Sequence, residues 1–262
     1  MPTATVNGIE IYYDVQGRGD PVILLVGLPG VGGGWGPQIP LFAQDFLTIV
    51  PDQRGAGRSS RPDDGYTIAQ HASDMADLLR FLDCGPAHLV GSSTGGAIAQ
   101  VMAADHPDVV RSMTLMGSWA SPDDFFRHQF ESRKRILEET DLRTYVNASV
   151  LFLFSPTYFR DHYDEVRRYC DLGSSGASDP VIMAKRIDMI LASDQSPRLG
   201  SIRRPALVMA GDRDACTPPY FSEELARLIP GAELTFIEGG HLVYWENPKD
   251  FYARVVDFIG RH

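Results

Sequence analysis

A series of short, unbroken apolar runs limits most strongly what this chain can fold into, and Val22-Ile23-Leu24-Leu25-Val26 is the clearest of them. A run without polar alternation suits a strand covered on both faces, as in a parallel sheet between helices. Phe46 to Val50, Ala87 to Val90, Met113 to Met116, Ala206 to Ala210 and Leu234 to Ile237 are further short, mainly apolar strand-like segments. Helical stretches lie between them. Tyr66-Thr67 opens one in which Ile68, Ala72, Met75, Leu78, Leu79 and Leu82 share a face and Thr67 can act as N-cap. Others are expected at Trp35–Gln44, Gly96–Ala104, Tyr220–Leu228 and Pro248–Ile259, and Asn7-Gly8 between alternating segments predicts a hairpin. From Ser121 to about Pro197 strands give way to charged and aromatic helical stretches: Asp123–Glu139, Leu142–Phe154, Tyr158–Tyr169 and Asp179–Ala192. The expected fold class is α/β: a mostly parallel twisted sheet covered by helices, with a core of residues 1–120 and 198–262 and a helical cap inserted at 121–197.

The length of 262 residues fits one large domain with an insertion. A formal net charge of −10 argues against nucleic acid or an anionic membrane as partner, since both are recognised through clustered Lys and Arg. Cys84, Cys170 and Cys216 are far apart and odd in number, so neither a disulfide framework nor a metal site is expected, and the usage fits a reducing compartment. No basic, apolar leader opens the chain and no apolar run is long enough to cross a bilayer, so the expectation is a cytoplasmic protein. A homo-oligomer stays open.

The strand-like run at Ala87–Val90 leads into Gly91-Ser92-Ser93-Thr94-Gly95, and a helical stretch leads out. A strand-to-helix turn this tight crowds its own backbone, so glycines flank the apex and Ser93 is held over the helix N-terminus as a candidate nucleophile. A serine hydroxyl needs a base, and histidine suits that task. Of the seven histidines, His241 in Glu238-Gly239-Gly240-His241 directly follows a strand; His71, His106 and His128 fall in helical stretches, His88 in a strand, His262 at the terminus and His162 in a charged helix. A carboxylate must orient that base. Gly211-Asp212-Arg213-Asp214 offers two, and Asp214 is preferred because Asp212 is close enough to the strand end to serve the turn. The order Ser93, Asp214, His241 is the one expected when all three sit at successive strand ends of one sheet. Backbone N–H donors for an oxyanion are assigned to Thr94, after the nucleophile, and to Leu28 in Gly27-Leu28-Pro29-Gly30.

With Asp52-Gln53-Arg54-Gly55-Ala56-Gly57-Arg58-Ser59, these motifs make the chain resemble the α/β-hydrolase superfamily over nearly its whole length. In that family the Asp52–Ser59 loop is structural. Within it, chain length, the short cap and the Asp-Gln-Arg-Gly string resemble the 3-oxoadipate enol-lactonase group and its carbamate- and amide-cleaving relatives. Two positions depart from the family's pattern. Val26 stands where relatives usually carry a histidine before the oxyanion-loop glycine, which puts that loop's supporting hydrogen bonds in question, and Ser92 replaces a histidine often found before the nucleophile. Ser-Thr-Gly-Gly also resembles the perhydrolase and arylesterase branch, which implies peracid formation as a side activity. The resemblance implies a serine hydrolase without cofactor, acting on a small-molecule ester or lactone. Amide, carbamate or C–C bond hydrolysis is the enzymatic alternative, and a ligand-binding receptor on the same scaffold is the non-enzymatic one. Trp119, Phe125, Phe126, Phe130, Phe152, Phe154 and Tyr158 are candidate pocket aromatics, which suggests a mainly apolar substrate. Arg127, Arg133 and Arg160 have no position fixed by sequence.

Overall fold

Asn7 and Gly8 both take positive φ, 46° and 74°, the left-handed pair a two-residue hairpin turn needs. They join β1 (Thr3–Val6) to β2 (Ile9–Gln16) in a computed structural model that describes residues 2–175 and 178–262. Met1, Gly176 and Ala177, within the ranges expected for core and cap, lie outside the described residues. The remaining strands are β3 (Pro21–Leu25), β4 (Leu47–Pro51), β5 (Ala87–Ser92), β6 (Val110–Met116), β7 (Ala206–Gly211) and β8 (Glu233–Ile237). They form one eight-stranded sheet in the order β1-β2-β4-β3-β5-β6-β7-β8. The two pairings that involve β2 are antiparallel and the other five are parallel.

Every residue of β3, β5 and β7 is buried, the consequence of cover on both faces. Strand β8 differs from expectation. It is the sheet edge, and Leu234 and Phe236 are exposed because one flank has no neighbour. Because the strand order reverses between β3 and β5, a crevice opens at their carboxyl ends, where ligands of open α/β sheets bind. The register pairs Leu25 with Gly91, Ser92 with Met116, Met116 with Met209 and Gly211 with Ile237. The loops after β3, β5, β6, β7 and β8 therefore all leave at one edge.

Between β6 and β7 the described residues form the longer helices Asp124–Glu139, Leu142–Leu153, Pro156–Asp161, Tyr163–Gly173 and Pro180–Leu191, and the short Ser196–Leu199. Asp123, Asp141, Ser155 and Asp179 each cap a first turn through the side chain. A bond from Gln195 N–H to the Ala120 carbonyl (2.8 Å) closes the base of this block. The single helix expected over Tyr158–Tyr169 is broken at His162, whose φ/ψ of −127°/36° leaves the helical region. Trp35–Gln44 likewise divides into a 3-10 segment, Gly32–Gln38, and an α-helix, Ile39–Asp45. Gly36 there is non-helical, and the Trp245 ring lies 2.7 Å from where a Cβ would stand, so a side chain would clash at this position. No helix among the described residues is long and apolar enough to cross a membrane.

Candidate active site

Strand β5 ends at Ser92 and the next helix begins at Thr94, so Ser93 alone makes the turn. Its φ/ψ of 54°/−118° is a conformation that side-chain-bearing residues rarely adopt. Three backbone bonds hold it there: Ser93 N–H donates to the Met116 carbonyl (2.8 Å), and the Ser93 carbonyl accepts from Gly96 (2.9 Å) and Ala97 (3.2 Å). The flanking glycines are needed for close approach. A Cβ on Gly95 would stand 1.9 Å from the Leu25 carbonyl oxygen. Thr94 is the first helical residue, so its N–H has no acceptor within the helix and sits at the positive end of the dipole.

The loop after β3 turns through a Gly30 N–H to Gly27 carbonyl bond of 2.9 Å and packs directly on the elbow, since a Cβ on Gly27 would lie 3.2 Å from Ser93 Cβ. The question raised by Val26 has a structural answer. Gln53 Nε2 donates to the Val26 carbonyl (2.8 Å), and Arg186 Nε, from the Pro180–Leu191 helix, donates to the Leu28 carbonyl (2.7 Å). Arg186 Nη2 also donates to Gln53 Oε1. The peptide that carries the Leu28 N–H therefore lies between two pinned carbonyls. Arg186 Nη1 further donates to the Arg54 carbonyl (3.0 Å) and to His71 Nε2 (2.9 Å). His71 donates from Nδ1 to the Thr67 carbonyl (2.9 Å), which leaves Nε2 as the acceptor. Burial, then the neighbouring Arg186, holds His71 well below the usual histidine range, and burial pushes Arg186 down to about 10.

At the end of β7 the two aspartates differ in burial and in partners. Asp212 is half exposed and accepts from Gly239 N–H (2.9 Å). Asp214 is buried: Oδ1 accepts from Cys216 and Thr217 N–H (2.8 Å each), and Oδ2 accepts from Thr217 Oγ1 (3.0 Å) and His241 Nδ1 (2.8 Å). A carboxylate can only accept, so His241 donates from Nδ1 and keeps Nε2 free as a base. The histidine loop is held from the other side by Glu246, which accepts from Gly240 N–H (3.1 Å), Ser155 N–H (2.7 Å) and Ser155 Oγ (2.7 Å). The other histidines sit elsewhere. His88 is buried against Ser112 Oγ (2.7 Å), and desolvation pushes it down to about 4. His106 closes a helix rather than lying inside one, and His162 is exposed.

Ser93 and His241 line one cavity of about 320 Å³ together with Leu28 and residues of the inserted helices. Of the seven aromatics suggested by sequence only Phe130 is in its wall. Trp119 and Phe126 are core, Phe125 points to solvent, and Phe154 is buried and stacks on Tyr158 (5.5 Å). The wall instead takes Tyr145, Tyr169, Tyr244 and Trp245, and one charged residue, Arg133. A sequence signal for Arg133 exists: it falls on the buried stripe Phe126, Phe130, Arg133, Leu137 of its helix. The Asp52–Ser59 loop makes structural bonds, with Asp52 accepting from Gly32 N–H (2.8 Å) and Arg58 N–H (3.0 Å), and Arg54 pairing with Asp74 (2.8 Å).

A family model described as alpha/beta hydrolase fold matches residues 20–248. The chain belongs to the α/β-hydrolase family. A relative from Azorhizobium caulinodans, provisionally named carbamate hydrolase RutD, is 34% identical over 261 residues, covering 99% of this chain and 98% of that one. The crystal structure of the enol-lactonase from Burkholderia xenovorans LB400 superposes with a TM-score of 0.91 at 27% identity, covering 99% and 100% of the two chains. A thermophilic esterase from Thermogutta terrifontis gives 0.86 at 28% identity over 99% and 96%. The three names share hydrolysis and differ in the bond. At the level where they agree, this α/β-hydrolase chain is a hydrolase.

Proposed function

We propose that the protein cleaves small to medium carboxylic esters or lactones through an acyl-enzyme on Ser93, with residues 121–197 as the cap that selects the substrate. The observation that carries this reading is the buried Asp214–His241 bond of 2.8 Å, which leaves Nε2 as the unprotonated nitrogen of a ring that lines the same cavity as Ser93. His241 takes the Ser93 proton as Oγ attacks the carbonyl carbon. The oxyanion is met by the N–H groups of Leu28 and Thr94. His241 then gives its proton to the departing alkoxide, which in a lactone stays attached to the acyl chain. A water molecule, deprotonated by His241, attacks the ester carbonyl, and the acid leaves as Ser93 Oγ recovers its proton. Asp214 stabilises the imidazolium without taking its proton. Carbamate cleavage, the activity in the name of the Azorhizobium relative, is the second reading and would use the same groups.

Hydrolysis of p-nitrophenyl esters, simple lactones, carbamates and amides, with Ser93→Ala alongside, tests both. Ester or lactone turnover that falls at least about 10⁴-fold in the variant supports the reading. A near-native rate in Ser93→Ala refutes the mechanism, and turnover confined to carbamates moves the assignment to the second reading.

A further inference from the structure

The sheet ends differently at its two edges. On β1 the exposed residues are Thr3 and Thr5, which suit water. On β8 they are Leu234 and Phe236, 38% and 39% exposed. Side chains alternate along a strand, so these two share one face and Glu233 and Thr235 share the other. The second face is engaged from the C-terminal segment: Arg261 donates to both Glu233 carboxylate oxygens (2.7 and 2.9 Å), and Arg254 Nη1 donates to Thr235 Oγ1 (2.9 Å). The backbone alternates too. Ile237 turns towards β7, where its carbonyl accepts from Asp212 N–H (2.9 Å) and Gly211 lies beside it in register. Thr235 and Glu233 therefore also turn their backbone groups to β7, and the N–H and C=O groups of Leu234 and Phe236 point to the open edge. Edge strands are commonly blunted by proline, lysine or a bulge, and Glu233–Ile237 carries none of these.

We propose that the partner of this edge is a second copy of the chain, its β8 antiparallel to the first about a two-fold axis at Thr235, so that one sheet runs through both molecules. That register is self-complementary in backbone, side chains and charge. Leu234 of one copy lies opposite Phe236 of the other as a hydrogen-bonded pair, so the outward N–H and C=O groups of both residues find partners. The exposed apolar side chains meet across the strands, Leu234 against Phe236 on each side of the axis. The acids avoid one another: Glu233 falls opposite Ile237 and Glu238 opposite Ala232, whereas a parallel in-register pairing would set Glu233 on Glu233. The strands are short, so the contact is small beside the ~1,200 Å² at which stable interfaces begin, and the dimer forms only as concentration rises. None of this depends on the reaction at Ser93.

Sedimentation equilibrium on the whole chain between about 5 and 500 μM tests the pairing. The apparent mass should climb from 28.9 kDa towards twice that value, and Phe236→Lys and Leu234→Pro should hold it at 28.9 kDa. The first places charge on the apolar stripe and the second removes an outward N–H. Thermal melts check that both variants fold, and Phe236→Lys, at an exposed position, decides alone if the proline variant does not. Thr235→Cys reads the register. Residues at the axis form a non-hydrogen-bonded pair with Cα atoms about 4.5 Å apart, within reach of a disulfide. Mild oxidation should therefore give a linked dimer on non-reducing gels that wild type, with Cys84, Cys170 and Cys216, does not give. A wild type that stays at 28.9 kDa throughout overturns the second copy as occupant and leaves the edge to another partner. A dimer that persists in Phe236→Lys places the interface elsewhere, and one that is lost in that variant yet never links through position 235 refutes the register.

Discussion

Arg133 and Arg186 both project from inserted helices, are almost wholly buried, and have no ion-pair partner within 4.0 Å among the described residues, yet they are held in opposite ways. Arg186 meets acceptors on three separate segments at 3.0 Å or less: the carbonyls of Leu28 and Arg54, Gln53 Oε1 and His71 Nε2. Arg133 meets hydroxyls, an amide and a thiol at 3.2 Å or more and borders the cavity. A buried cation whose hydrogen bonds are filled at short range by backbone carbonyls and side-chain acceptors of three segments is an internal strut. One with weak neutral neighbours and an open side is available to bind.

The largest effect that would sharpen this contrast is expected from Arg186→Met, which leaves four buried acceptors without their donor. A loss of about 3 kcal/mol or more should appear as a fall in Tm of roughly 6–10 °C, with kcat reduced more than KM is raised if the Gly27–Gly30 loop, which loses its anchor, holds the oxyanion as proposed. Unchanged Tm would break the contrast. Acidification comes next, since His71 is an acceptor of Arg186 and no histidine contacts Arg133 among the described residues. His71 is held below its usual range, so its neutral form stabilises the fold fully above the unfolded value of 6.5 and progressively less as pH falls. His88 adds the same sign between 6.5 and about 4. Denaturant unfolding at pH 7.5 and 5 should differ by about 1–3 kcal/mol, and His71→Gln should flatten part of that slope. Gln53→Leu removes the bond to the Val26 carbonyl, and about a tenfold loss of kcat with a change in stability near 1 kcal/mol is expected from steady-state kinetics and thermal melts. The smallest effect belongs to Arg133→Met, which should move Tm by less than about 3 °C in either direction, because an isolated buried charge is exchanged for an apolar chain of similar length.

The sheet was legible because its parallel strands are short, mainly apolar segments separated by helical stretches, and the elbow because Gly91, Gly95 and Gly96 flank Ser93 in a strand–turn–helix context. Asp214 could be told from Asp212 by its distance from the strand end, which became a buried carboxylate against one that serves a turn. The inserted helices were legible as charged and aromatic helical stretches, but not the direction each helix faces. Sequence does not give the side a ring faces, so Trp119, which precedes the inserted block, and Phe126 fall among the candidate pocket aromatics although they lie in the core, and Tyr169, Tyr244 and Trp245 do not. The support of the Gly27–Gly30 loop was hidden for a related reason. Gln53 and Arg186 are 133 residues apart, and only the folded chain brings them together.

Glu246 joins the loop bearing His241 to Ser155 at the start of an inserted helix, accepting from both sides at once. The inserted block is thus not an exchangeable part. A chimera that takes this block from a relative must carry a matched partner for Glu246 and for the loop pinned by Arg186, or the graft will disturb the histidine and the oxyanion loop together even where its own helices fold.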